Sequence, residues 1–254
     1  MKKSVREIKE ELDSIQEASH PSIELFAADE RISVRELVRK WKKNKLQDEL
    51  LQKQWNEMNN YETSAKKSGY QKIAGVDEAG RGPLAGPVVA AAVILHPENR
   101  FLGLTDSKKL SQKKREYFYD LLKNEALDIG LGIVEAETID KINIYEASKT
   151  AMKEALANLK QKPDFMLIDA LSLEVNVPQE SIIKGDSKSV SIAAASCIAK
   201  VTRDQIMMDY ARKYPQYGFE KHKGYGTKEH LEAIAAYGAL PIHRRSFAPV
   251  RNRG

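Results

Sequence analysis

The sequence predicts a mixed α/β domain preceded by a small helical segment. Residues 1 to about 70 hold no glycine before Gly69 and a single proline, and their apolar residues recur at helical spacing. From Gln71 onward, short valine-rich runs bounded by glycines alternate with longer helical stretches. That alternation is the pattern of helices packed on a sheet.

In chain order, Ile8, Leu12 and Ile15 mark a first amphipathic helix, and Leu37, Val38 and Trp41 a later one. Ser33-Val34-Arg35-Glu36 has capping-box spacing and predicts a helix start there. Two or three helices are expected to end near Asn60, with Ser64 to Gly69 as a linker. The expected division is therefore 1–70 and 71–254. Ile73 to Val76, Pro87 to Leu95, Leu127 to Val134 and Phe165 to Ile168 read as strands. Ser111 to Glu125, Ile144 to Lys160 and Ser189 to about Lys213 read as helices. No internal repeat or low-complexity tract is present.

Composition narrows the function. The single cysteine, Cys197, excludes an intrachain disulfide and a multi-cysteine zinc site, which fits a reducing cytoplasm. No run approaches the roughly 20 apolar residues of a membrane span, and Met1 to Glu7 lacks a secretory apolar core. The formal net charge of +5 permits a polyanionic partner. The segment from His243 to Arg253 carries four arginines and no acid, and Lys221, Lys223 and Lys228 lie upstream among glycines. A solvated basic tail and a nucleic-acid contact both fit that pattern. Acids and bases nearly balance in the N-terminal segment, so phosphate binding is not forced there.

Four acids stand at the ends of elements. Asp77 and Glu78 close an apolar run, Asp169 follows a buried strand, and Asp186 precedes a small-residue helix. Neighbours on an ideal strand point to opposite faces, so Asp77 and Glu78 serve one site only if the strand ends and turns. Ala79-Gly80-Arg81-Gly82-Pro83 is the expected turn. Singly, each acid reads first as a cap, turn or surface charge; the set of four points to convergence. Such a cluster suits divalent ions with oxygen ligands, Mg²⁺ or Mn²⁺, and two-ion phosphodiester hydrolysis. Gly-Arg-Gly-Pro lacks the Lys-Ser/Thr of a nucleotide phosphate loop, and Gly80, Gly82 and Gly86 miss dinucleotide-binding spacing.

Several ordered motifs resemble the ribonuclease HII family. They are Gly75 to Pro87, Asp106-Ser107-Lys108-Lys109-Leu110, Leu167-Ile168-Asp169-Ala170 and Lys184-Gly185-Asp186. Ser191 to Asp204 and His222-Lys223-Gly224-Tyr225-Gly226-Thr227 complete the set, which covers residues 71 to about 250. The resemblance implies a ribonuclease-H-like five-stranded mixed sheet flanked by helices, with a helical, basic C-terminal part. It implies a monomeric cytoplasmic endonuclease that cleaves RNA in RNA–DNA hybrids. It also implies nicking 5′ of single ribonucleotides in duplex DNA, leaving 3′-hydroxyl and 5′-phosphate ends. The family carboxylates fall on Asp77, Glu78, Asp169 and Asp186, with Mn²⁺ or Mg²⁺ as the two-ion cofactor. Gly80, Arg81 and Gly82 match the loop that reads the junction 2′-hydroxyl, and Tyr225 the ring that packs on the adjacent sugar. Lys108 and Lys109 are phosphate-contact candidates or solvated residues before a helix.

Other residues are expected to do less. Cys197 and the tryptophans Trp41 and Trp55 read as packing, and Asp204 as the partner of a nearby base. His222 and His243, in basic contexts, are candidates for phosphate contact. The helical N-terminal segment departs from shorter family members, and its texture argues against the β-rich extension of ribonuclease HIII. A ribonuclease HIII-like hybrid nuclease and a non-catalytic hybrid-binding protein are the competing functions.

Overall fold

The computed structural model describes residues 3–17 and 19–251; Arg253 of the basic tail lies outside them. The chain divides into two compact units, Met1–Asn56 and Glu57–Gly254.

The first unit contains α1 (Val5–Ser14), α2 (Pro21–Ala27) and most of α3 (Ile32–Met58). Ile8, Leu12, Ile23, Phe26, Val34, Val38 and Trp41 form its core. The expected capping box at Ser33 is not formed, because α3 begins one residue earlier at Ile32 and places Ser33 in its first turn. A complete capping box occurs instead at Ser4 and Glu7.

The second unit opens with α4 (Asn60–Lys67). This corrects the linker expected at Ser64 to Gly69. Polar composition suggested a tether, but Ala65 is buried against Ile73, Leu167, Ile182 and Ile192, and Glu62 is buried as well. Then come β1 (Ile73–Ala79), β2 (Val88–Leu95), α5 (Gln112–Glu125), β3 (Ala126–Val134), α6 (Ala136–Ala157), β4 (Phe165–Asp169) and β5 (Gln179–Ile182). Downstream lie α7 (Val190–Lys213), α8 (Phe219–His222), α9 (Lys228–Tyr237) and α10 (Ala248–Arg251).

The sheet order is β3-β2-β1-β4-β5. β2 runs antiparallel to β1 and β3, while β4 is parallel to β1 and β5. α6 covers one face through Ile139, Ala147, Ala151 and Ala155, which pack on Ala74, Val76, Ala90 and Ala92. α7 packs on β1 closely enough that a Cβ on Gly75 would sit 2.0 Å from the Ser191 carbonyl carbon. Only glycine permits that approach. α6 starts eight residues earlier than expected, yet it is interrupted at Asn143 (φ 65°, ψ 165°). The Asn143 side chain accepts hydrogen bonds from the Tyr145 and Glu146 amides (2.9 and 3.1 Å), so a new helix does begin at Ile144.

Candidate active site

Three of the four acids meet where β1, β4 and the loop before α7 converge. Asp77, Asp169 and Asp186 each offer a carboxylate oxygen within 4.8 Å of the others. Register explains the meeting: Val76 pairs with Ile168 across parallel strands, so Asp77 and Asp169 occupy equivalent ends. Ala170 (φ 50°) and Lys184 (φ 57°) take left-handed conformations beside Asp169 and ahead of Asp186. Such strain in non-glycine residues is held in place by surrounding structure and concentrates at functional sites. The Gly185 amide donates to Asp169 Oδ1 (2.7 Å) and fixes the Asp186 loop on β4.

Glu78 stands aside from this trio. β1 continues through Ala79 instead of turning at the acid pair, and Glu78 is not among the oxygens within 4.8 Å of one another, although its charge still acts on Asp77 and that of Asp169 acts on it. Arg81 Nη1 lies 3.3 Å from Glu78 Oε1. The other oxygen, Oε2, is buried with no hydrogen-bond partner.

The site is electrostatically costly as it stands. Burial pushes the Asp77 carboxyl well above its ordinary range, and the charges of Glu78 and Asp169 push it further. Burial also raises Glu78, against the opposing effect of Arg81. Asp186 is raised by burial and by the neighbouring charges of Asp106 and Asp169, with Lys108 acting the other way. An all-oxygen donor set, mutual repulsion and an orphaned Glu78 oxygen fit divalent cations well. Ser196 on α7 lies beside Asp77 and partly offsets the rise of its carboxyl, and the Ser196 hydroxyl is 3.0 Å from that of Ser107.

The lysines flank the trio. Lys108 Nζ is 3.7 Å from Asp186 Oδ2, with its side chain largely exposed, and Lys109 Nζ donates to Ser187 Oγ (3.0 Å). On the other side lies the Gly80–Gly82 loop. A Cβ on Gly82 would lie 3.6 Å from Tyr225 Cε1, so that loop and the half-exposed Tyr225 ring abut. The Leu84 amide donates to Gly224 O (2.8 Å), joining the two segments.

Two buried arginines that sequence reasoning missed hold this loop from behind. Arg244 donates to Gly80 O (2.6 Å), Arg81 O (2.9 Å) and Gly86 O (3.0 Å from Nε). Arg203 donates to Pro87 O (3.0 Å), Ala85 O (3.0 Å) and Lys223 O (3.1 Å). Arg244 is fully buried, so this part of the basic tail is neither solvated nor available to phosphate. Burial lowers its guanidinium to about 9. Arginine's fork of donors suits this clamp on successive carbonyls.

The histidines correct a second expectation. His222 and His243 are buried, and they serve the backbone instead of phosphate. His222 Nδ1 accepts from the Gly224 amide (3.2 Å), which leaves Nε2–H to donate to Tyr217 O (2.8 Å). His243 Nδ1 accepts from the Leu240 amide (2.8 Å), so its Nε2–H donates to His230 Nε2 (3.0 Å). His230 in turn donates from Nδ1 to Tyr225 O (2.9 Å). Burial drives His230 and His243 down to about 4, which keeps the pair neutral. Cys197 is buried with its thiol pushed up to about 12 by burial, and Asp204 pairs with Lys200 at 2.6 Å.

The carboxylate trio on a ribonuclease-H-like sheet defines a divalent-metal-dependent phosphodiester hydrolase. Comparison with known proteins gives the family. The family profile described as "Ribonuclease HII" matches residues 74–250, and "Ribonuclease HII N-terminal domain" matches residues 4–66. Ribonuclease HII of Bacillus subtilis (strain 168) is 57% identical over 98% of both chains. Ribonuclease HII of Bacillus licheniformis is 59% identical over 98% of this chain and 97% of its own. The crystal structure of ribonuclease H2 from Pyrococcus horikoshii OT3 superposes with a TM-score of 0.61 at 31% identity, covering 72% of this chain and 96% of that one. The chain belongs to the ribonuclease HII family. It is a ribonuclease H endonuclease acting on RNA–DNA hybrids with the aid of divalent metal. No helix of the described residues is long and apolar enough to cross a membrane.

Proposed function

We propose that this enzyme nicks duplex DNA on the 5′ side of single embedded ribonucleotides, as well as cleaving longer hybrids, and leaves 3′-hydroxyl and 5′-phosphate ends. Its role is ribonucleotide removal from DNA, carried out by a cytoplasmic monomer. One observation carries the reading. The Gly80–Gly82 loop is contiguous with the acids through the Arg81–Glu78 contact and lies against Tyr225.

Asp77, Glu78, Asp169 and Asp186 hold two Mn²⁺ or Mg²⁺ ions in this reading. When bound, the ions supply charge for phosphoryl transfer and a nucleophile at neutral pH. The protein's part is positioning. The loop backbone comes close to the nucleotide because Gly82 carries no Cβ, and a 2′-hydroxyl is the group that separates RNA from DNA there. The Arg81 guanidinium, partly exposed beside Glu78, grips a phosphate. The Tyr225 ring lies on the next sugar, where a second 2′-hydroxyl would collide. Lys108 and Lys109 hold phosphates and set register without reading sequence.

The test is cleavage of a labelled DNA duplex holding one ribonucleotide, with Mn²⁺, with Mg²⁺ and with EDTA. A single metal-dependent nick on the 5′ side is the expected result. Cleavage of long hybrid alone would overturn the single-ribonucleotide reading.

A further inference from the structure

The N-terminal unit is nearly balanced in charge as a whole, but its charges are segregated. Residues 35–45 of α3 carry six bases, Arg35, Arg39, Lys40, Lys42, Lys43 and Lys45, and one acid, Glu36. α1 carries two bases and four acids. The core of the unit takes Val34, Val38 and Trp41 from α3, which turns the basic positions outward. Arg35, Arg39, Lys42 and Lys43 recur at helical i, i+4, i+7 and i+8 spacing, so they share one face. All four are exposed, as is Lys40.

Little within the unit neutralises that face. Glu36 lies 3.9 Å from Arg39, a contact between two largely exposed side chains. Arg35 donates to the backbone carbonyls of Asp29 and Glu30 (3.0 and 3.1 Å), and Lys45 lies over the Trp41 ring. Among the described residues, Lys40, Lys42 and Lys43 have no acidic partner. Like charges four apart, Arg35 with Arg39 and Arg39 with Lys43, destabilise a helix in isolation. A polyanion lying along the face would reverse that cost. Ten residues of helical rise span about 15 Å, the length over which a duplex strand presents about four phosphates.

We propose that this face of α3 is a sequence-independent docking surface for the phosphate backbone of duplex nucleic acid. It holds the enzyme on DNA independently of the chemistry at the carboxylates. The surface has no base-reading geometry, so its contribution is the same for plain DNA and for ribonucleotide-containing duplex.

The experiment uses the full chain and a labelled all-DNA duplex in EDTA, where neither metal nor ribonucleotide enters the result. Fluorescence anisotropy gives the dissociation constant between 50 and 300 mM salt for the parent, for Arg39→Gln/Lys42→Gln/Lys43→Gln, and for Lys42→Arg/Lys43→Arg. Each lost phosphate contact lowers the slope of log affinity against log salt by about 0.9. The glutamine variant is expected to lose about 2–3 from that slope and to bind at least roughly tenfold more weakly at 50 mM salt. The arginine variant is expected to match the parent. Unchanged slope and affinity in the glutamine variant would overturn the proposal and leave the face to solvent or to an acidic protein. Because no cleavage is measured, failure to nick at a ribonucleotide leaves this result untouched.

Discussion

At the scale of single residues, the site is assembled at a cost to the metal-free protein. Asp77 is buried among like charges that raise its carboxyl, so its ionised form destabilises the fold. Asp77→Asn is therefore expected to abolish cleavage while raising the thermal midpoint in EDTA by a few degrees at pH 7. A lowered midpoint, or retained cleavage, would contradict the electrostatic account. The two loop glycines separate structure from function in the same way. A Cβ on Gly80 (φ +97°) would lie 2.1 Å from Arg203 Nε, so Gly80→Ala disrupts the clamp and destabilises the protein by about 2 kcal/mol or more. A Cβ on Gly82 meets the Tyr225 ring at 3.6 Å, an ordinary contact. Gly82→Ala should melt like the parent yet nick a single ribonucleotide at least roughly tenfold more slowly, since about 1.4 kcal/mol of lost fit suffices. Asp77 and Asp169 stood out in the sequence because a carboxylate ending an apolar run is conspicuous, and the fold brings them together with Asp186. Arg203 and Arg244 did not: apart from Lys223, their carbonyl partners lie more than a hundred residues away, and a basic stretch looks solvated until it is folded.

At the scale of elements, strands that read as apolar runs were recovered, and β5 was not. Gln179-Glu180-Ser181-Ile182 buries only Ile182 and pairs on one side, so an edge strand of this kind leaves no run to detect. The α6 interruption was half legible, since a helix does start at Ile144. The turns before it depend on tertiary packing of Ala136 and Ile139. The histidine network joining α9 to the segment after it makes a pH prediction. His230 and His243 stand near 4 in the fold against an ordinary 6.5, so the unfolded chain binds more protons between those values. Their stabilising contribution is complete above about pH 6.5 and is lost as pH falls toward 4. Between pH 6.5 and 5 each loses up to about 2 kcal/mol. His243→Gln is thus expected to lower the thermal midpoint at pH 7, with that deficit shrinking at pH 5. A deficit that stays constant with pH would mean the imidazole does not titrate as described.

At the scale of the whole molecule, the texture of the sequence changes near residue 70, but the compact division falls between Asn56 and Glu57. The difference is α4, whose polar surface resembles a linker while its inner face completes the larger unit. Ala65 covers Leu167 and Ile192, and Glu62 Oε1 accepts from Ser189 Oγ (2.5 Å) and the Ser191 amide (2.9 Å) at the start of α7. α7 in turn carries Ser196 beside Asp77, so α4 supports the helix that backs the carboxylate trio. Two truncations distinguish texture from packing. A chain beginning at Glu57 should unfold cooperatively and retain metal-dependent cleavage of a hybrid. A chain beginning at Gln71 exposes Leu167, takes the Glu62 acceptor from the Ser191 amide and the Ser189 hydroxyl and forfeits roughly 3–5 kcal/mol. Its thermal midpoint should fall by about 10 °C or more, or the chain should fail to accumulate in soluble form. Equal midpoints for the two truncated chains would show that α4 is the linker its composition suggests.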